Sequence, residues 1–134
     1  MNNKVKQVIV WNNALKVRKG KLASQVSHAS MLFIIDTLKS LDDFEKGETI
    51  FDFFSEEEAD WMFNGKFTKI VCGVDSEQEL LDLYDQAKAS GLTVHKVVDS
   101  GDTEFHGVPT LTAIAIGPHK SSLIDTLTKD LKLI

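Results

Sequence analysis

A single α/β domain over residues 1–134, with a mixed four-stranded sheet between helices in three α/β/α layers, is the fold this sequence predicts. Three observations carry it. Four short runs rich in β-branched and apolar residues alternate with stretches of helical spacing. The first three runs are joined through helical stretches, as parallel right-handed crossovers require. Only about ten residues without a helical pattern join the third run to the fourth, so the fourth strand is expected to run antiparallel.

Taken in order, Val5-Lys6-Gln7-Val8-Ile9-Val10-Trp11 alternates and then runs apolar, reading as a first strand that Asn12-Asn13 turns out of the sheet. Leu22, Val26, Ala29 and Phe33 recur three or four residues apart. They predict a helix to about Lys39, apolar around most of its later circumference and therefore buried. Ser55 followed by Glu56, Glu57 and Glu58 suits the start of a second, short helix. Phe67 to Val74 is a second strand. Asp75-Ser76-Glu77 opens a helix that Gly91 closes, Thr93 to Val98 is a third strand, and Thr110 to Ile116 a fourth. A last helix from about Ser121 to Lys129 precedes an apolar tail, Leu131 to Ile134.

At 134 residues such a domain can bury roughly two-thirds of the extended chain's surface. The 43% hydrophobic and 26% charged content is ordinary for one core, and no low-complexity tract or Pro-rich linker divides the chain. The longest apolar stretch, Ala29 to Ile35, is far short of a membrane span, and the polar start Met1-Asn2-Asn3-Lys4 does not resemble a signal peptide. A cytosolic location is expected. One cysteine, Cys72, excludes an internal disulfide framework and reads as a small buried residue; four scattered histidines give no zinc pattern.

A net charge of −5 argues weakly against a nucleic-acid partner, but its distribution is lopsided. Between Lys4 and Lys21 stand six basic residues and no acidic one, whereas Asp42 to Asp60 holds nine carboxylates and one lysine. The aromatics within and beside that acidic stretch, Phe51, Phe54 and Trp61, read either as packed against the domain or as a surface for a partner.

The basic loop runs straight into the first helix, so Gly20 and Lys21 lie at a helix N-terminus, where free N–H groups and the dipole favour a phosphate or an oxyanion. Lys21, Gln25 and His28 fall within about a 60° arc of that helix, either a functional face or the solvated stripe of an amphipathic helix. Asp99 stands at the C-terminal end of the third strand, the edge where open α/β sheets bind ligands; on the residues alone the start of an Asp-Ser-Gly turn is the favoured reading. No nucleotide-binding glycine loop, serine-esterase elbow or zinc-protease motif is present. The residues alone reach an anion-binding α/β domain.

Lys16-Val17-Arg18-Lys19-Gly20-Lys21-Leu22-Ala23-Ser24-Gln25-Val26-Ser27-His28-Ala29 resembles the Lys-Met-Gly-Lys-Gly-Lys-x-Ala-Ala-Gln-x-x-His-Ala signature of type 2 peptidyl-tRNA hydrolases. Lys69-Ile70-Val71 through Leu80, Asp99-Ser100-Gly101-Asp102-Thr103, and Ala115-Ile116-Gly117-Pro118 through Leu133 agree in order and position. The resemblance implies cleavage of the ester between a peptide and tRNA without a cofactor or metal, by a chain that forms a homodimer. It implies Lys21 as catalytic lysine, Asp99 as its acidic partner and Thr103 as a functional threonine. Lys16, Arg18 and Lys19 are implied to meet tRNA phosphates, with Gly20, Gln25, His28 and Thr112 also on the substrate side.

The sequence departs from the family's pattern at Asn12 and Ala14, where the family carries Arg and Asp; at Arg18, in place of a glycine; and at Glu104, in place of a glutamine. The Phe105 to Thr110 loop is about one residue longer. Two other readings stand beside hydrolysis: a non-catalytic tRNA- or protein-binding module on the same fold, and a small-molecule sensor of ferredoxin-like type.

Overall fold

A computed structural model describes residues 4–41 and 50–134, the side chains of Ile50 and Phe51 excepted. Its strands are β1 (Val5–Asn12), β2 (Lys69–Val74), β3 (Val94–Asp99), β4 (Thr110–Lys120) and β5 (Lys132–Leu133). The longer helices are α1 (Lys19–Lys39), α3 (Glu77–Ala89) and α4 (Ser121–Thr128). A short segment, α2 (Glu56–Ala59), continues into a π-helical turn at Asp60–Asn64. The sheet order is β3-β4-β1-β2-β5.

The mixed character follows the expectation. β1 and β2 pair in parallel, and β4 lies antiparallel between β1 and β3, so the first three strands share one direction. The count does not: the sheet has five strands, not four. Lys132 and Leu133 of the apolar tail pair with Gly73 and Cys72 on the far side of β2, covering part of an edge that would otherwise present unpaired backbone groups. Two residues are too few to display a period of two, so the sequence carries no strand signal there.

Alternation along β1 divides the core. Val8 and Val10 face Leu80, Leu83, Ala87 and Ile124 of α3 and α4, while Ile9 and Trp11 face Ala29 and the half-buried Leu22 and Val26 of α1. Helices therefore cover both faces, consistent with three layers. Gln7, on the α1 side, is fully buried; its amide donates to the Ser30 carbonyl at 3.0 Å and accepts from the Ser30 hydroxyl at 2.7 Å, leaving no buried polar end unpaired.

α1 is buried along one stripe (Gln25, Ala29, Phe33) rather than all round, and Met31 and Leu38 are exposed. Ser55 caps α2 as expected, accepting from the Glu58 backbone N–H while the Glu58 carboxylate accepts from that of Ser55. Trp61 is buried edge-on against Phe33, with Phe54 on the same ring, and the Trp61 indole donates to the Thr68 carbonyl at 2.7 Å. Packing against the domain is thus the outcome for Phe54 and Trp61, whereas the Phe51 side chain and residues 42–49 lie outside the described residues. Cys72 is buried, and burial pushes its thiol up to about 11.

This topology sets the site. Because β1 and β3 run the same way on either side of β4, their C-terminal ends emerge at one edge, where α1 also begins. Residues far apart in the chain, the loop after β1 and the end of β3, converge there.

Candidate active site

Asp99 ends β3 with both carboxylate oxygens engaged. Oδ2 accepts from the Gly101 backbone N–H at 2.9 Å, closing the Asp-Ser-Gly turn; Oδ1 accepts from Lys21 Nζ at 2.9 Å and Gln25 Nε2 at 3.1 Å. The turn reading and the site reading of Asp99 were therefore compatible, one served by each oxygen. Gly101 has no substitute here: its φ is +87°, and a Cβ would stand 2.5 Å from the Val108 carbonyl oxygen.

The network continues on both sides. Lys21 Nζ also donates to Thr103 Oγ1 at 2.8 Å, and the Thr112 hydroxyl, fully buried on β4, donates to Gln25 Oε1 at 2.8 Å. Thr112, Gln25, Asp99, Lys21 and Thr103 thus form one unbroken chain from the sheet to the surface. The hydrogen bond from Lys21, reinforced by those from Gly101 and Gln25, outweighs partial burial and holds the Asp99 carboxyl below its ordinary value of 3.8. At neutral pH Asp99 is a carboxylate opposite an ammonium.

Lys21 itself sits in the first turn of α1, which has no acidic residue and, among the described residues, no side-chain cap on Arg18. Lysines at the positive end of a helix are unfavourably placed for its dipole, so this turn is built for an external anion or the Asp99 carboxylate rather than for helix stability. Lys16, Arg18, Lys19 and Gly20 are all exposed around it. The Arg18 guanidinium lies 3.5 Å from the Glu104 carboxylate, linking the loop after β1 to the loop after β3.

A cleft of about 430 Å³ opens beside the network, lined by Lys16, Thr103, Glu104, Phe105 and His106 among others. No group of three His, Cys, Asp or Glu side chains able to hold a metal occurs among the described residues.

Of the residues singled out from sequence, Lys21, Asp99, Thr103, Gln25 and Thr112 come together. Gln25 and Thr112 lie behind Asp99, at 1% and 0% exposure, rather than on the cleft wall. His28, one helical turn beyond Gln25, is exposed and outside the network, since the buried stripe of α1 turns away from it. Asn12 is buried and accepts from the Ala14 backbone N–H at 3.0 Å, shaping the turn after β1. Sequence reasoning missed Phe105 and the Arg18–Glu104 pair, although two departures of opposite charge at one site were a signal for the latter.

What fold and site define is a mixed α/β domain that presents a lysine ammonium, clamped by a carboxylate and a threonine, at the mouth of a basic loop. The chain belongs to the family described as peptidyl-tRNA hydrolase PTH2, whose model matches residues 5–134. It is 38% identical over 130 residues to a peptidyl-tRNA hydrolase of Methanocaldococcus jannaschii, covering 97% of this chain and all of that one. A peptidyl-tRNA hydrolase of Staphylothermus marinus is 38% identical over 133 residues, 99% of this chain and 98% of that one. One of Methanopyrus kandleri is 36% identical over 129 residues, 96% and 97% of the two chains.

Proposed function

We propose that this chain hydrolyses the ester joining a peptide, or an N-blocked amino acid, to tRNA, with Lys21, Asp99 and Thr103 as the catalytic group. The observation that carries the reading is the Lys21 ammonium, fixed by Asp99 at 2.9 Å and Thr103 at 2.8 Å where the basic loop meets the cleft.

An ammonium has three N–H donors. Two are taken by Asp99 and Thr103, and the third is free for the ester carbonyl oxygen, where negative charge builds as water adds to the carbonyl carbon. Asp99 is a weak candidate for the base: its pKa is lowered, and both its oxygens already accept hydrogen bonds. Its part is to hold Lys21 aimed. Thr103 Oγ accepts from Lys21, which leaves its own O–H to orient the water or the ribose oxygen. Collapse of the adduct breaks the bond to that ribose oxygen, which takes the proton the attacking water gives up; the products are free tRNA and a peptide acid that ionises to the carboxylate.

Exposed Lys16, Arg18 and Lys19 supply the phosphate contacts an acidic protein otherwise lacks. The same reading has residues 1–134 act as one unit in the cytosol, as a homodimer, in keeping with the family resemblance; among the described residues no helix is long and apolar enough to cross a membrane.

The test is release of an N-blocked amino acid from tRNA by wild type and by Lys21→Ala, at low and moderate salt. Cleavage that weakens with salt and falls at least a hundredfold in kcat on substitution is expected. Absence of cleavage by folded wild type would leave a tRNA-binding module, and an unchanged rate in the variant would remove Lys21 from the chemistry.

A further inference from the structure

The loop from Gly101 to Val108 contains a run of backbone that few side chains tolerate. Phe105, His106 and Gly107 have φ of +67°, +53° and +76° in succession. For glycine that conformation is free, but for a phenylalanine it is a genuine steric outlier. Hydrogen bonds within the loop hold it there: the Gly107 backbone N–H donates to the Gly101 carbonyl at 2.9 Å, and that of Val108 to the Phe105 carbonyl at 3.0 Å.

Core packing does not explain the ring. Phe105 belongs to neither of the two buried apolar clusters and is only half-buried. The residue instead lines the cleft with Lys16, Thr103 and His106, and its ring centroid lies 5.8 Å from Lys21 Nζ. Backbone strain held at a cleft wall, with no packing to account for it, marks a side chain kept for what it meets there.

We infer that Phe105 is the stacking platform for the 3′-terminal adenine of the tRNA, so that this cleft is a nucleobase subsite. The inference rests on the hydrolase reading of Lys21 and deepens it. If the ester carbonyl oxygen lies against Lys21, the base one ribose away is within reach of a ring whose centroid is 5.8 Å from Lys21 Nζ. A flat aromatic face suits a base, and Lys16 on the same cleft wall suits the phosphate that precedes the terminal nucleoside. A pocket for the peptide's own side chain is the competing occupant, but a lining that is polar apart from one aromatic ring (Lys16, Asp102, Thr103, Glu104 and His106 around Phe105) favours the nucleotide.

The experiment uses uncleavable tRNA carrying fluorescent 2-aminopurine in place of the terminal adenine, titrated with wild type, Phe105→Gly and Phe105→Tyr. Glycine relieves the strained φ, so that variant keeps the fold and loses only the ring; tyrosine keeps the ring. Stacking predicts severalfold quenching with wild type and Phe105→Tyr and little with Phe105→Gly, together with about a tenfold rise in KM for Phe105→Gly on N-blocked aminoacyl-tRNA and a smaller fall in kcat.

Equal quenching by wild type and Phe105→Gly overturns the inference. So does an absence of quenching at saturating wild type, whether or not cleavage occurs. A KM penalty that varies with the esterified amino acid, without a change in quenching, assigns the ring to the peptide instead. Since the fluorescence does not require turnover, failure of this subsite and failure of the hydrolase reading are told apart.

Discussion

Behind Asp99 and in front of it, the site is built from different materials. Behind it, Gln25 and Thr112 are buried, each polar end is matched to a partner, and the Gly101 turn fixes the second carboxylate oxygen. In front of it stand exposed cations, the Arg18–Glu104 pair with Arg18 89% exposed, and a strained loop. A buried, satisfied network is stiff and costly to break, whereas exposed charges contribute little to stability and act through long-range attraction. The contrast teaches that aim and recognition are separable here: substitutions behind Asp99 should appear in kcat and stability, and those in front in KM and salt dependence.

The largest effect after loss of Lys21 is expected at the junction. Asp99→Asn removes the charge that aims Lys21, and kcat should fall about a hundredfold. The carboxyl's folded pKa lies below 3.8, so its contribution to stability is present above that value and lost as pH falls through the lower one. Thermal melts should accordingly show a deficit for the variant at neutral pH that closes in strong acid; a deficit independent of pH would mean that packing rather than charge was lost. One step further back, Thr112→Val leaves the Gln25 carbonyl oxygen buried without its donor, a loss of about 1–3 kcal/mol in stability. With Gln25 no longer held, kcat should fall about tenfold, equivalent to ~1.4 kcal/mol, at unchanged KM. A change confined to KM would place Thr112 on the substrate side after all.

The same division decides what could be read from the sequence. β1, α1 and the capped start of α2 declared themselves through period and polar starts, and Lys21 and Asp99 through a helix N-terminus and a strand end. β5 did not, because two residues carry no alternation and its pairing exists only once Cys72 and Gly73 are in place. Gln25 and His28 look equivalent on a helical projection. Only packing against β4 separates the one that meets Asp99 from the one left in solvent. The strain at Phe105 likewise follows from contacts between Gly101 and Val108 that no local propensity encodes.

In front of Asp99 the effects are smaller and of the opposite kind. Glu104→Gln frees Arg18 and removes a negative charge from the cleft. The pair itself is worth only about 0–1 kcal/mol at this exposure, so KM should fall roughly two- to fivefold at low salt with kcat unaltered. Steady-state kinetics across a salt series checks this, and a raised KM would show that Glu104 positions Arg18 rather than competing for it.

Lys19→Glu should have the smallest effect on the fold and the wrong sign for function. It puts an acidic residue into the first turn of α1, which has none, and should stabilise the helix by about 0.3–1 kcal/mol. If Lys19 meets a tRNA phosphate as proposed, the same change removes that contact, and the slope of log affinity for tRNA against log salt should become shallower by roughly one. Thermal melts and binding isotherms on one variant measure both. A gain in stability with an unchanged salt slope would show that Lys19 lies off the tRNA path and that the cationic face narrows to Lys16 and Arg18; a loss of stability would show that the first turn is already satisfied by something other than an anion.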